Sequence, residues 1–165
     1  MNPFRNAARL ATALVVLTAC APKAPDTAAD TVSLKTEASS WFDRYAAGDA
    51  DGVAALYAED GVVLAPGTPA VVGRAAIRDF IVSDIAGTKA AGLAFKADEL
   101  TDVGIAGDLG WVTGTFSVVD ASGATVDKGK YVTLYRRGAE GKWPIIRDTW
   151  NSDLPPPAAA PAPKS

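Results

Sequence analysis

The period of the apolar residues changes once along the chain, at Gly92, and that change most limits what the chain can fold into. Before it, Leu34, Ala38, Trp41, Phe42 and Tyr45 recur at helical spacing, with Lys35, Glu37, Asp43 and Arg44 turned outward. Gly48 is a natural stop for this first helix, and Asp49 can cap the next one by accepting its free amides. That second helix is short, carrying Val53, Leu56 and Tyr57 before Asp60-Gly61 ends it. Val62 to Ala65 read as a strand broken by Pro66-Gly67-Thr68-Pro69. After Gly73, the apolar positions Ile77, Phe80, Ile81 and Ile85 mark a third amphipathic helix. Beyond Gly92 an alternation of period two predicts strands over 93–103, 109–119, 128–137 and 142–151, separated by Gly-Asp, Ser-Gly and Glu-Gly turns. Helices first and long strands afterwards predict an α+β domain, with the helices packed on one face of an antiparallel sheet.

The flanks are of another kind. Arg5 and Arg9 precede the apolar run from Leu10 to Leu17, and Leu17-Thr18-Ala19-Cys20 follows. A basic start, a brief apolar core and small residues describe a secretory signal. The Leu-Thr-Ala-Cys ending resembles a bacterial lipobox, in which Cys20 is acylated and becomes the mature N-terminus. Ala21 stands where an inner-membrane retention signal often has Asp, so the resemblance favours an outer-membrane anchor facing the periplasm. An ordinary signal peptide with release into the periplasm is the alternative. The run is shorter than the roughly 20 residues that a membrane-spanning helix needs. Residues 1–19 are thus read as a lipoprotein signal peptide and 20–30 as an Ala/Pro tether. The domain is read over 31–154, and 155–165 as a disordered Pro/Ala tail.

Composition narrows the chemistry. Histidine is absent, which excludes Ser-His-Asp and Cys-His catalysis and removes the commonest transition-metal ligand. With Cys20 acylated, no disulfide forms within the chain. Of the 16 basic side chains, Arg5 and Arg9 leave with the signal, so 14 face 19 acidic ones, a net charge of −5. Such a surface repels phosphate backbones, and no nucleic-acid partner is expected. Asp49, Asp51, Glu59 and Asp60 sit at helix caps and a turn, positions that suit structural roles better than a metal site. Gly104, Gly107 and Gly110 lack the Lys-Ser/Thr of a phosphate loop and read as hairpin glycines. No cofactor and no metal are expected.

The stretch Trp41-Phe42-Asp43-Arg44-Tyr45-Ala46-Ala47-Gly48-Asp49 through Leu56-Tyr57-Ala58-Glu59-Asp60 resembles the opening of ketosteroid isomerase, as does Gly73-Arg74-Ala75-Ala76-Ile77-Arg78-Asp79-Phe80. Gly129-Lys130-Tyr131-Val132 and Trp143-Pro144-Ile145-Ile146-Arg147-Asp148-Thr149-Trp150 resemble the closing strands of the SnoaL-like relatives. Both belong to the nuclear-transport-factor-2-like superfamily. The resemblance covers about Lys35 to Asp153 and implies a cone of curved antiparallel sheet closed by three N-terminal helices. It implies no single activity, because this cone hosts isomerases, cyclases, dehydratases, hydrolases and binders. By the same resemblance these cones commonly dimerise through the outer sheet face, where Thr113, Thr115 and Ser117 alternate with Val112, Phe116 and Val118. A homodimer and a monomer both fit.

Matched without gaps, Trp41 falls where the isomerase has its oxyanion tyrosine, and Ala65 where it has its general base. Alanine takes no proton, so steroid isomerisation is not expected. Tyr45, one turn beyond Trp41, could supply a displaced hydroxyl. The surviving acid–base candidate is Asp148, since SnoaL-like cyclases resemble this arrangement in using a late-strand carboxylate. Alternation puts Ile146, Asp148 and Trp150 on one face and Ile145, Arg147 and Thr149 on the other. On an apolar wall Asp148 would be held above the ordinary carboxylate range. Alternatively it pairs with Arg74, Lys130 or Arg147 and fixes the sheet. Trp41, Tyr57, Phe80, Trp111, Tyr131 and Trp150 are candidates to line a pocket, or else plain core. The expected ligand is a small apolar or amphipathic molecule, met by acid–base chemistry; the alternative is a non-catalytic ligand-binding or protein-partner accessory module.

Overall fold

The computed structural model describes residues 27–155, and the readings made for the signal, Cys20 and most of the tail lie outside them. In chain order the elements are α1 (Thr27–Ala47), α2 (Ala50–Ala55), β1 (Tyr57–Leu64), β2 (Val71–Val72), α3 (Arg74–Ala90), β3 (Ala94–Ala106), β4 (Leu109–Val119), β5 (Thr125–Arg136) and β6 (Ile145–Ser152). One sheet holds all six strands in the order β2-β1-β6-β5-β4-β3. Every pairing is antiparallel except β1 with β6. Three helices precede the four long strands, the α+β order that the change of period predicts.

Helix α1 begins at Thr27, inside the stretch read as tether, because its first turn has something to hold. Arg137 donates from both terminal nitrogens to the Asp30 carboxylate at 2.6 and 2.7 Å. The guanidinium also lies 4.4 Å from the centroid of the Trp143 ring. The paired Arg137 holds the Asp30 carboxyl below the usual carboxylate range. This contact pins the start of α1 to the β5–β6 connection.

Tyr57 does not continue α2. Leu56 closes the helix, and Tyr57 opens β1 opposite Ile145, with its ring fully buried. The parallel pairing with β6 captures Tyr57 as a strand residue, since Ile145 N–H donates to the Leu56 carbonyl at 2.9 Å. Arg74, at the start of α3, donates to the Tyr57 carbonyl at 2.9 and 2.7 Å and pairs with Glu59. Asp49 caps α2 through the Gly52 amide at 2.8 Å, and Asp51 and Asp60 pair with Arg78 and Arg136.

The core is built where α1 and α3 lie on the sheet, from Leu34, Val53, Ile77, Ile81, Val112, Trp143 and Ile145, all essentially without exposure. Of the glycines read as hairpin residues, only Gly107 is at the turn, with φ +62°. Gly104 and Gly110 are inside strands, where a Cβ would overlap the Trp111 ring in one case and Leu34 in the other. The β3–β4 register shifts on both sides of Leu100, and β3 packs against α1. Ser117 is covered, its hydroxyl donating to Asp98 at 2.6 Å.

Candidate active site

The inner face of the sheet and the C-terminal half of α1 enclose a cavity of about 70 Å³. Helix α1 contributes Ala38, Trp41, Phe42 and Tyr45, and α3 contributes Asp84. Phe95 and Phe116 form the wall from β3 and β4. The floor consists of three cross-strand pairs of β5 and β6: Tyr131 with Trp150, Thr133 with Asp148, and Tyr135 with Ile145.

A bulge sets that floor. Leu134 pairs with Arg147 and Tyr135 with Ile145, which leaves Ile146 as an extra residue on β6. Simple alternation puts Ile146 on the face of Asp148 and Trp150; the bulge puts Ile145 there instead.

Asp148 is buried on this floor and accepts two hydrogen bonds, from the Tyr57 hydroxyl at 2.6 Å and the Thr133 hydroxyl at 2.9 Å. The Trp41 indole N–H in turn donates to the Tyr57 oxygen at 3.0 Å, so a relay runs from α1 through β1 to β6. None of the three cations considered as partners reaches Asp148. Arg74 is held by Glu59 and the Tyr57 carbonyl, Lys130 by Asp153, and Arg147 by the Ile146 carbonyl. With no cation in contact among the described residues, burial raises the Asp148 carboxyl above its ordinary range. The bonds from Tyr57 and Thr133 oppose this without cancelling it. Burial, and then the Asp148 charge, push the Tyr57 phenol well above its usual value. The same two causes raise Tyr131 to about 12.

Tyr45 faces the cavity, but its hydroxyl donates to Asp84 at 2.6 Å and lies 3.0 Å from the Thr88 hydroxyl. Burial, and then the bond to Asp84, raise its phenol. It is therefore anchored to α3 rather than held free as a donor. Its ring stacks on Trp41, with centroids 5.1 Å apart and planes 11° from parallel.

Of the six aromatics expected in a pocket, Trp41, Tyr131 and Trp150 line it and three do not. Tyr57 is beneath the floor, linked to the cavity through Asp148 and Trp41. Phe80 packs behind Trp150 at 6.4 Å. Trp111 is on the outer face, where its indole donates to Asp102 at 2.7 Å and its ring covers Gly104. Its odd position in β4, shared with Thr113 and Thr115, already assigned it there. Phe116, an aromatic weighed between core and pocket, also lines it, as its alternation with Val112 fits. Phe95, Tyr135 and Asp84 were missed, and nothing local to Asp84 marks it as a pocket residue.

A curved sheet wrapped by three helices around an aromatic cavity defines the cystatin-like cone of the nuclear-transport-factor-2-like proteins. The chain is similar to such a protein from Novosphingobium aromaticivorans, at 23% identity over 74% of this chain and 81% of that one, with a TM-score of 0.66. It is also similar to a ketosteroid isomerase-like protein from Erwinia carotovora atroseptica, at 22% identity over 76% and 98% of the two chains, with a TM-score of 0.60. A domain of unknown function from Nostoc punctiforme with a cystatin-like fold gives 20% identity over 78% and 80%, with a TM-score of 0.68. Likeness at these identities establishes the fold. No curated protein sequence matches the chain significantly. The profile of the SnoaL-like domain matches residues 38–144, and the chain belongs to that family, whose members include isomerases, dehydratases and ligand-binding proteins.

Proposed function

We propose that the domain binds a small apolar or amphipathic molecule in the aromatic cavity and that Asp148 exchanges a proton with it, without a cofactor. One observation carries this reading: a buried carboxylate, hydrogen-bonded by Tyr57 and Thr133 and free of any cation in contact, opens into an aromatic cavity. A carboxyl raised by burial holds a proton closer to neutrality than a solvated one and can both take and return it. Tyr57, which touches Asp148 from below the floor, acts through it as a positioning residue. Ala65 is buried where the ketosteroid isomerase base would stand, so the chemistry differs from steroid isomerisation.

A non-catalytic carrier or accessory module is the second reading. What favours it is the commitment of the Tyr45 hydroxyl to Asp84 and of the Trp41 N–H to Tyr57, which leaves neither as a donor for a ligand oxyanion. Native mass spectrometry of the full chain, with release of any bound molecule on denaturation, identifies the ligand class. Turnover of that molecule by the wild type and not by Asp148→Asn supports proton transfer. Unchanged turnover in the variant refutes it, and binding without turnover in either leaves the carrier reading.

We further propose, from the resemblance of Leu17-Thr18-Ala19-Cys20 to a lipobox, that the protein is acylated at Cys20 and held in the bacterial envelope, at the outer membrane. Cys20→Ser is expected to move it from the membrane fraction to the soluble periplasm, and an unchanged distribution would refute the anchor. A homodimer through the outer sheet face fits the exposed Leu64, Leu109, Val132 and Leu134 there. The native mass of the intact protein decides it.

A further inference from the structure

The charge of the ligand can be taken one step further, on the basis of the binding reading above. We infer that the cavity takes an organic cation, a protonated amine or quaternary ammonium group on a small apolar body. Among the described residues, the charged side chains that line the cavity are Asp84 and Asp148, both acids, and no Lys or Arg lines it. An anionic ligand would meet two carboxylates and no compensating cation. A neutral apolar ligand would bring the buried Asp148 no positive charge, leaving it to its hydrogen-bond donors Tyr57, Thr133 and the Thr149 backbone.

The walls favour the same choice. Of the 13 lining residues, eight are aromatic, among them Trp41, Tyr131 and Trp150. Aromatic faces carry negative potential and attract ammonium groups, more strongly where water is excluded. The donors nearest the carboxylates are also spent within the protein: Tyr57 on Asp148, Tyr45 on Asp84 and Trp41 on Tyr57. In its ionised form, which a bound cation favours, each carboxylate presents remaining lone pairs, but no hydrogen, to an occupant. An ammonium group supplies the one element the cavity lacks, positive charge, and the low volume suits a compact head group.

The test titrates the full chain with choline and with neohexanol, its neutral carbon isostere, following tryptophan fluorescence and heat. Choline is expected to bind at least about tenfold more tightly than neohexanol, a difference of about 1.4 kcal/mol. Asp148→Asn and Asp84→Asn should each erase most of that preference, read as the ratio of the two affinities within one variant. Two variants are needed because either could disturb folding, which far-ultraviolet circular dichroism checks. Equal or tighter binding of neohexanol overturns the cation inference and leaves the apolar-pocket reading standing. Choline binding that survives in both folded variants also overturns it, since the cation then sits on the acidic surface. Absence of binding by either probe overturns the inference and the binding reading together.

Discussion

Replacing Tyr57 by Phe isolates the relay between α1 and β6 with little change of shape. The ring is fully buried and stays in place; only the hydroxyl leaves. That oxygen donates to Asp148 at 2.6 Å and accepts from the Trp41 indole at 3.0 Å, so two buried groups lose a partner at once. A hydrogen bond to a charged group contributes about 1.5–3 kcal/mol and one between neutral groups about 0.5–1.5 kcal/mol. Tyr57→Phe is therefore expected to destabilise the domain by about 2–4.5 kcal/mol, read from urea unfolding of the full chain at neutral pH. A second observable is tied to the first. The Tyr57 hydroxyl opposes the upward shift of Asp148, so its removal should move the carboxyl titration, followed by carbon NMR, to still higher pH. A loss below about 0.5 kcal/mol together with an unmoved titration would refute the relay, because a solvent-satisfied pair behaves that way.

Three further outcomes follow from the packing and the charges. Leu34 is completely buried under α1, and Leu34→Ala should cost about 2–5 kcal/mol in urea unfolding. Gly129→Ala would set a Cβ 2.3 Å from the Phe116 ring and 2.4 Å from the Asn151 carbonyl, so it should cost about 1–3 kcal/mol and weaken ligand binding by pushing Phe116 into the cavity. Asp148 keeps its proton to higher pH when folded than its ordinary value of 3.8 allows, so the folded chain binds more protons between the two midpoints. The stability this contributes is complete below 3.8 and is lost as pH rises through the folded midpoint. Unfolding measured across that range should show the decline in the wild type and a flatter profile in Asp148→Asn.

Much of the fold was legible because its signals are local. Gly48, Asp49 and Gly73 mark helix ends within a few residues of themselves, and the period-two runs after Gly92 match β3 to β6 within a few positions. Tyr57 was misplaced because its fate depends on β6, nearly ninety residues away by the register that pairs it with Ile145. The site divides in the same way. Asp148 and Trp150 obey plain alternation and were found, whereas Ile145 reaches the floor only through a bulge that no local residue announces. Asp84 was invisible for a different reason: on α3 it is one more acid on a polar stripe until α1 brings Tyr45 to it. Trp111 shows the opposite failure, where its side-chain type outweighed an alternation that already placed it outside.

The early start of α1 sets a leash length. From Cys20 to Thr27 the chain takes seven steps, which at full extension span about 25 Å. If the proposed acyl chain holds Cys20 at the bilayer, the end of α1 fixed by Asp30 and Arg137 stays within that radius of the head groups. Trp41 lies eleven residues further along the same helix, about 16 Å from Asp30. The cavity would then sweep a shell only a few nanometres deep, tethered at high effective concentration to whatever the membrane surface presents.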